Sequence, residues 1–146
     1  MADWKQNLIE DDAGIAALVR GAKRVAVLGI KPESKADQPA FYVAEYVAGH
    51  GAEVIPVPVF FPELTEILGQ KVYRKVAEVP GPVDIVDVFR KPSDIDAHVD
   101  DIIAKQPRAA WFQLGIRNEA AAERLARAGI QVVQDRCLLV EWKRYR

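Results

Sequence analysis

Short apolar runs alternate with amphipathic segments along this chain. Five of the runs are almost continuously apolar, which is typical of strands buried on both faces of a parallel sheet. Each is flanked by polar residues, glycine or proline, the residues that usually end a strand. The pattern therefore predicts five strands, over residues 24–29, 53–59, 83–88, 109–114 and 130–133.

Helical spacing separates most of these runs. Ala40, Val43, Ala44 and Val47 recur at intervals of three and four residues, and the glycines that follow predict the end of that helix. The same spacing predicts helices over 95–103, with Ser93 as N-cap, and over 121–128, between Asn118 as N-cap and Gly129 as stop.

The two ends of the chain and one internal segment complete the pattern. Helices are predicted over 11–19 and 138–144, outside the five strands. Residues 60–82 are irregular, and we expect short helical turns near 62–68 and 73–78.

Strands that alternate with helices form βαβ units with right-handed crossovers and a parallel sheet. We therefore predict an α/β fold, a Rossmann-like three-layer sandwich with five parallel strands. The strand orders 3-2-1-4-5 and 2-1-3-4-5 both fit the pattern, and either order places a ligand beyond the carboxyl ends of the strands.

Composition narrows the function classes. The 146 residues fit one domain, over 1–146, and the formal charge of −1 gives no basic surplus for nucleic acid. The first residues do not resemble a signal peptide, and the apolar runs are too short to span a membrane. A single cysteine, Cys137, suits a reducing compartment, so a cytoplasmic protein is expected.

The residues after the first strand suit a phosphate group. Gly29 permits a sharp turn, the next helix offers its N-terminus, and Lys31, Ser34 and Lys35 add two cations and a hydroxyl. The alternative interpretation is an ordinary polar loop with solvated lysines.

The usual nucleotide fingerprints are missing. After Gly29 the next glycine is Gly49, so the dinucleotide motif G-x-G-x-x-G is absent, and no Walker loop is present. The second strand also ends without the acidic residue that holds a ribose in an NAD site. These features argue against NAD and ATP bound in the usual way.

Two other strand ends carry candidate ligand contacts. Arg90 and Lys91 follow the third strand and could pair with phosphate, while Phe89 could pack on an adenine or a pantetheine arm. A solvated basic pair and a core phenylalanine are the alternative. Gly115, after the fourth strand, permits close backbone approach, although such a glycine is often only a turn residue.

Catalytic residues are scarce. His98 lies on the apolar stripe of its predicted helix and is interpreted as a core-edge residue, and His50 as a helix-terminus residue. Neither has neighbours at metal-ligand spacing, so no metal site is predicted. Cys137 is interpreted as an inert, partly buried thiol, and among the aspartates no general base stands out.

The ordered set of motifs resembles the small CoA-binding protein family, which is similar to the CoA-binding domain of the succinyl-CoA synthetase α-subunit. The resemblance covers the chain from about Ile15 to its end. It rests on the stretches VAVLG (25–29), EVIPV (53–57), ILGQKVY (67–73), VDIVDVFR (83–90), WFQLGI (111–116) and DRC (135–137).

The resemblance implies strand order 3-2-1-4-5, with coenzyme A lying across the strand ends. The implied contacts, with Lys35 added from the loop, are Gly29, Ile30, Lys31, Ser34, Lys35, Val57, Pro58, Val88, Phe89, Arg90, Gln113, Leu114 and Gly115. The chain departs from the family at Lys31, where a small hydroxyl residue is usual, and at Pro58-Val59, where Asn-Pro is usual.

We therefore expect a protein that binds coenzyme A or an acyl-CoA without complete catalytic machinery of its own. The alternatives are an enzyme that acts on a CoA thioester or nucleotide, through Cys137 or an aspartate, and a ligand-free scaffold or sensor. A homodimer could form through Phe60-Phe61 or through the tail with Trp142 and Tyr145, although core packing would also explain these residues.

Overall fold

The computed structural model describes residues 3–146. The predicted domain limits begin at Met1, which lies with Ala2 outside the described residues. The strands are β1 (Arg24–Leu28), β2 (Glu53–Val57), β3 (Glu66–Ile67), β4 (Gln70–Lys71), β5 (Ile85–Val88), β6 (Ala109–Phe112) and β7 (Gln131–Val133). The α-helices are α1 (Asp12–Gly21), α2 (Pro39–Ala48), α3 (Val99–Lys105), α4 (Glu119–Arg127) and α5 (Leu138–Tyr145).

Five strands form one parallel sheet in the order β2-β1-β5-β6-β7. Leu28, the last residue of β1, is level with Val57 of β2 and with Val88 of β5. Val88 is in turn level with Phe112, the last residue of β6. This register brings the carboxyl ends of four strands to one edge, so the loops that follow them are neighbours.

The α/β fold and the five-stranded parallel sheet are confirmed, and the strand order needs one qualification. Numbered along the chain, the five long strands run 2-1-3-4-5, so the third predicted strand lies beside β1 and not beyond β2. The short hairpin of β3 and β4 flanks β2, where the Tyr73 amide donates to the Pro56 carbonyl over 3.0 Å. If the hairpin is counted as strand 3, then β5 and β6 become strands 4 and 5, and the order is the predicted 3-2-1-4-5. In that numbering β7 is an additional, sixth strand.

The core has two layers, one on each face of the sheet. Helices α1, α2 and α5 cover one face, where the indoles of Trp111 and Trp142 are fully buried. Helices α3 and α4 cover the other face through Ile102, Leu125 and other buried aliphatic side chains. The predicted three-layer sandwich is confirmed.

Two local predictions were wrong. No helix forms over 62–68: a single turn, in which the Leu64 amide donates to the Phe61 carbonyl over 3.1 Å, is followed by the hairpin from Glu66. Leu68 and Gly69 adopt φ values of +55° and +70°, which suit a two-residue hairpin turn. Ser93 does not cap a helix, since a 3₁₀ helix over Pro92–His98 precedes α3 and begins with proline, the residue favoured in a first turn. The turn predicted near 73–78 is a 3₁₀ helix over Val76–Glu78.

One arginine organises the loop that follows β2. The Arg74 guanidinium donates to the carbonyl oxygens of Phe60, Phe61 and Leu64 over 3.1, 2.8 and 2.9 Å. These three hydrogen bonds fix a loop that forms no strand pairing of its own. They also hold the backbone of Phe60 in place, although this residue is 63% exposed.

Among the described residues, no helix combines the length and the apolar character needed to cross a membrane.

Candidate functional site

A cleft of about 530 Å³ lies at the carboxyl ends of β1, β5 and β6. Its walls come from the loops after these strands, from the first turn of α2 and from the residue before α5. The lining residues are Gly29, Lys31, Gln38, Pro39, Ala40, Tyr42, Phe89, Arg90, Lys91, Pro92, Gln113, Leu114, Ile116 and Cys137.

Gly29 lets the ends of β1 and β5 approach each other closely. It adopts a φ of +88°, and its amide donates to the Val57 carbonyl over 2.9 Å. A Cβ atom at this position would lie 2.3 Å from the Phe89 carbonyl oxygen. Only glycine avoids that clash, so backbone packing explains why glycine occupies this position, with or without a ligand.

Lys31 lies between the end of β1 and the start of α2. Its amide donates to the Ala40 carbonyl over 3.1 Å, and its ammonium group donates to the Gln38 side-chain oxygen. The first residue of α2 is Pro39, which has no amide hydrogen to offer a phosphate. Positive charge at this wall therefore depends chiefly on the Lys31 side chain.

Arg90 follows β5 and is held on three sides. Its Nε donates to Nε2 of His98 over 3.2 Å, and its terminal nitrogen lies 3.6 Å from the Asp94 carboxylate. Its guanidinium carbon lies 5.4 Å from the centre of the Phe60 ring. With only 15% of its side chain exposed, Arg90 presents a fixed cation at the cleft.

The end of β6 joins the cleft to α5. The buried side-chain oxygen of Gln113 accepts a hydrogen bond from the Leu138 amide over 3.0 Å and so satisfies the first turn of α5. The next residue, Leu114, has 69% of its surface exposed, and Cys137, a free thiol of intermediate exposure, lies at the N-cap of α5.

The cleft combines charge with apolar surface. Lys31, Arg90 and Lys91 contribute three cationic side chains, while aromatic and aliphatic side chains line the remaining wall. A ligand that carries phosphate groups at one end and an uncharged arm at the other suits such a surface.

Six of the thirteen predicted contact residues line the cleft, namely Gly29, Lys31, Phe89, Arg90, Gln113 and Leu114. Four others have buried side chains and belong to the sheet or its immediate flanks: Ile30, Val57, Pro58 and Val88. Ser34 and Lys35 are exposed on a short 3₁₀ helix, and Gly115 is exposed after β6. The structure does not bring these seven residues to the cleft wall.

Several lining residues were missed by sequence reasoning. Gln38 and Tyr42 lie at the start of α2, and Ile116 and Cys137 follow β6 and β7. The helix after the first strand begins at the carboxyl edge of the sheet, so its first turn could have been included on that ground.

The aspartates identified along the chain have structural roles or none. The Asp84 carboxylate accepts from the amides of Lys23 and Arg24 over 2.8 and 2.9 Å, and Asp135 accepts from the Gly115 amide over 2.6 Å. Asp87 lies inside the sheet, and neither of its buried oxygens has a hydrogen-bond partner among the described residues. Burial raises the pKa of the Asp87 carboxyl well above its ordinary value.

The two histidines differ in their surroundings. His50 lies just beyond α2, where its Nδ1 is 2.7 Å from the Tyr46 carbonyl and its ring stacks on that of Tyr46. Burial lowers the pKa of His98 and the Arg90 guanidinium lowers it further, against the opposing attraction of Asp101 and Asp94.

A second cavity, of about 610 Å³, adjoins the first. It lies between α5 and the loops after β6 and β7, and it shares Leu114 and Cys137 with the cleft. In residues 3–146, no group of three or more His, Cys, Asp or Glu side chains is placed to hold a metal ion.

Comparison with protein families gives one match over most of the chain. The profile of a family described as the CoA binding domain matches residues 23–143. An uncharacterised protein of Bacillus subtilis (strain 168), YneT, is 31% identical over 128 residues, which cover 88% of this chain and 91% of YneT.

Solved structures show the same fold. A protein from Thermus thermophilus, cell-free ID.343, is 37% identical and superposes with a TM-score of 0.85 over 94% of this chain and 100% of that chain. A hypothetical protein from Pyrococcus horikoshii OT3 is 31% identical, with a TM-score of 0.82 over 93% of this chain and 92% of its own.

A larger enzyme contains a similar unit. The dinucleotide-forming acetyl-coenzyme A synthetase 1 of Ca. Korarchaeum cryptofilum is 21% identical, with a TM-score of 0.63 over 75% of this chain and 25% of that chain. At this identity the likeness shows the fold alone.

Proposed function

The chain belongs to the CoA binding domain family, and on that premise we propose that it binds coenzyme A, or an acyl-CoA, in the cleft at the carboxyl ends of β1, β5 and β6. The observation that carries this proposal is the pairing of three cationic side chains with an apolar wall in one cleft. Free coenzyme A carries about four negative charges near neutral pH, by the ionisation of its phosphate groups. Its pantetheine arm is uncharged.

The orientation of the ligand follows from this distribution. Its phosphates lie against Lys31, Arg90 and Lys91, and the pantetheine arm runs over Phe89 toward Leu114. The fixed position of Arg90 supports the assignment, because a guanidinium that is already ordered loses little conformational entropy when it binds phosphate.

The first experiment is a thermal-shift titration with coenzyme A, acetyl-CoA, NAD, NADP and ATP. A ligand that binds only the folded state raises its stability by RT ln(1 + [L]/Kd), about 2.7 kcal/mol at a hundredfold excess over Kd. We expect a dose-dependent rise with coenzyme A and acetyl-CoA and none with NAD, NADP or ATP at equal concentration. No rise at saturating coenzyme A would contradict the proposal and would favour a ligand-free scaffold.

Two lysines of the same loop provide a matched pair of variants. Lys31 lines the cleft, whereas Lys35 is exposed outside it, although the sequence suggested both. We expect Lys31→Gln to weaken coenzyme A binding about tenfold, a change of about 1.4 kcal/mol, and to reduce its salt dependence. Lys35→Gln serves as the control, and calorimetry that found the larger loss in this variant would move the phosphate site to the other side of the loop.

A second candidate function is catalysis on a CoA thioester at Cys137. One observation favours it: this thiol lies where the two cavities meet, beside the expected path of the pantetheine arm. A thioester hydrolysis or transfer activity that disappears in Cys137→Ala would establish it. Unchanged turnover in that variant, or inactivity across a panel of thioesters, leaves binding as the function.

The remaining expectations concern the surroundings of the protein. We propose a small-molecule ligand and no nucleic-acid partner, in line with the formal charge of −1, and a cytoplasmic location, in line with a single free cysteine. For a homodimer we propose Phe60 and not Trp142 as the contact, because Phe60 is exposed whereas Trp142 is buried and donates to the His50 carbonyl over 2.9 Å. Light scattering of the wild type and of Phe60→Ser tests this proposal.

A further inference from the structure

The contact between Arg90 and His98 has only one chemically consistent form. The Nε of an arginine is always a donor, so Nε2 of His98 must be the acceptor in the 3.2 Å hydrogen bond. The ring is therefore neutral in this arrangement, with its proton on Nδ1. If His98 were protonated, its Nε2–H would face the Nε–H of Arg90, so two donors and two positive charges would oppose each other.

The other charged groups near His98 do not replace this contact. Asp94 lies on the exposed side and already faces Arg90. The two oxygens of Asp101 accept from the amides of Val76 and Ala77 over 2.7 and 2.9 Å, which fixes this carboxylate to a neighbouring 3₁₀ helix. His98 itself does not line the cleft, so it acts on a ligand through the position of Arg90.

We propose that His98 is a positioning residue, which holds the Arg90 guanidinium at the cleft and releases it when the imidazole is protonated. The consequence is a phosphate-ligand affinity that falls on acidification. This inference rests on the proposed function, because it assigns regulation to the same site.

The pH dependence has a defined sign. Burial and Arg90 both lower the pKa of His98, so the neutral form that holds Arg90 persists to a lower pH than for an ordinary histidine. The affinity for the ligand has its full value above the pKa of His98 and decreases as the pH falls through it. The phosphates of the ligand also gain protons near this range, and a variant with no titrating group at 98 corrects for that effect.

The affinity test uses coenzyme A with three variants and calorimetry at a series of pH values. His98→Gln keeps an acceptor oxygen at similar reach but does not titrate, so we expect the affinity of the wild type at neutral pH and a smaller loss in acid. His98→Leu removes the acceptor and should bind about fivefold more weakly at neutral pH, as expected for the loss of one hydrogen bond. His50→Gln, at a residue that does not line the cleft, is the control and should bind like the wild type at every pH.

A second test needs no ligand. The chain has two histidines, so the ring signals can be assigned in an NMR titration by comparison with His50→Gln. In Arg90→Ala the pKa of His98 should rise, because the nearest positive charge is removed.

The outcomes separate this inference from the proposed function. A His98 titration that is unchanged in Arg90→Ala, or a His98→Gln profile parallel to that of the wild type, overturns the positioning role. Failure of the wild-type protein to bind coenzyme A overturns the proposed function, and the ring titration then decides by itself whether His98 holds Arg90.

Discussion

The ends of β1 and β6 border the same cleft, yet one is closely packed and the other is open. After β1, Gly29 lies against the backbone of Phe89, with no room for a side chain. After β6, Gly115 has a similar φ, +84°, but an added Cβ atom would meet no atom within 4 Å. The same residue type thus serves two purposes, close backbone approach at the first site and backbone conformation alone at the second.

This difference divides the cleft into a closely packed side and an open side. On the closely packed side, Gly29 and Arg90 are held by backbone and side-chain contacts. On the open side, Leu114 is exposed and lines both cavities. We expect the closely packed side to bind the invariant part of a ligand and the open side to accept its variable part.

The largest expected effect comes from alanine at the two glycines. Gly29→Ala combines a left-handed backbone with a steric clash and should lower the free energy of unfolding by about 2–5 kcal/mol. Gly115→Ala carries only the conformational cost, about 1–2 kcal/mol. Denaturant unfolding of both variants measures the difference, and equal losses would show that the two strand ends are not packed differently.

Asp87 should give the next largest effect, and it depends on pH. The folded-state pKa is raised, so between the unfolded-state value of about 3.9 and the folded-state value the native protein binds more protons than the unfolded chain. Stability therefore falls as the pH rises through this window. Asp87→Asn, which does not ionise, should lose less stability over the same window.

Chemical unfolding at a series of pH values tests this expectation. Asp37→Asn, on an exposed side chain, is the control and should follow the wild type. If the stability of Asp87→Asn changed with pH in parallel with that of the wild type, ionisation of Asp87 would not lower the stability of the folded protein.

The smallest expected effect lies on the open side, at Asn118. Its side-chain oxygen accepts from the Ala121 amide over 3.0 Å, and its nitrogen donates to the Pro92 carbonyl over 2.9 Å. Asn118→Ala should lower the free energy of unfolding by about 1 kcal/mol, the typical cost of a lost N-cap. Asn118→Asp keeps the cap but not the bond to Pro92, so its thermal midpoint should lie between those of alanine and the wild type.

Much of the fold could be predicted from the apolar pattern, because burial on both faces of a parallel sheet leaves little room for polar residues. The five long strands, the N-cap at Asn118 and the family resemblance are confirmed. The hairpin over 66–71 was missed because its strands have two residues each and carry no periodicity. Its turn is Leu68-Gly69, a pair with positive φ, and Leu68 had been interpreted as the end of a helical turn.

The candidate site was less accessible to sequence reasoning. The residues that end a strand could be named, but which of their side chains face a cleft depends on register and on loop geometry. Val57 and Val88 are consecutive with loop residues and yet belong to the core. The contact of Arg90 with His98 joins residues eight apart through a 3₁₀ helix, where α-helical spacing does not apply.

The arginine that organises the loop after β2 also bears on how this region can change over evolution. The Arg74 guanidinium donates to main-chain oxygens, at Phe60, Phe61 and Leu64, so these three bonds do not involve the side chains at those positions. The exposed side chain of Phe60, the aromatic ring above Arg90, can therefore change while these bonds remain. Leu64 packs on the core and Phe61 has a φ of +60°, so these two positions are more restricted. A library randomised at 60 on an unchanged Arg74 would vary the rim of the cleft while it keeps the backbone that supports it.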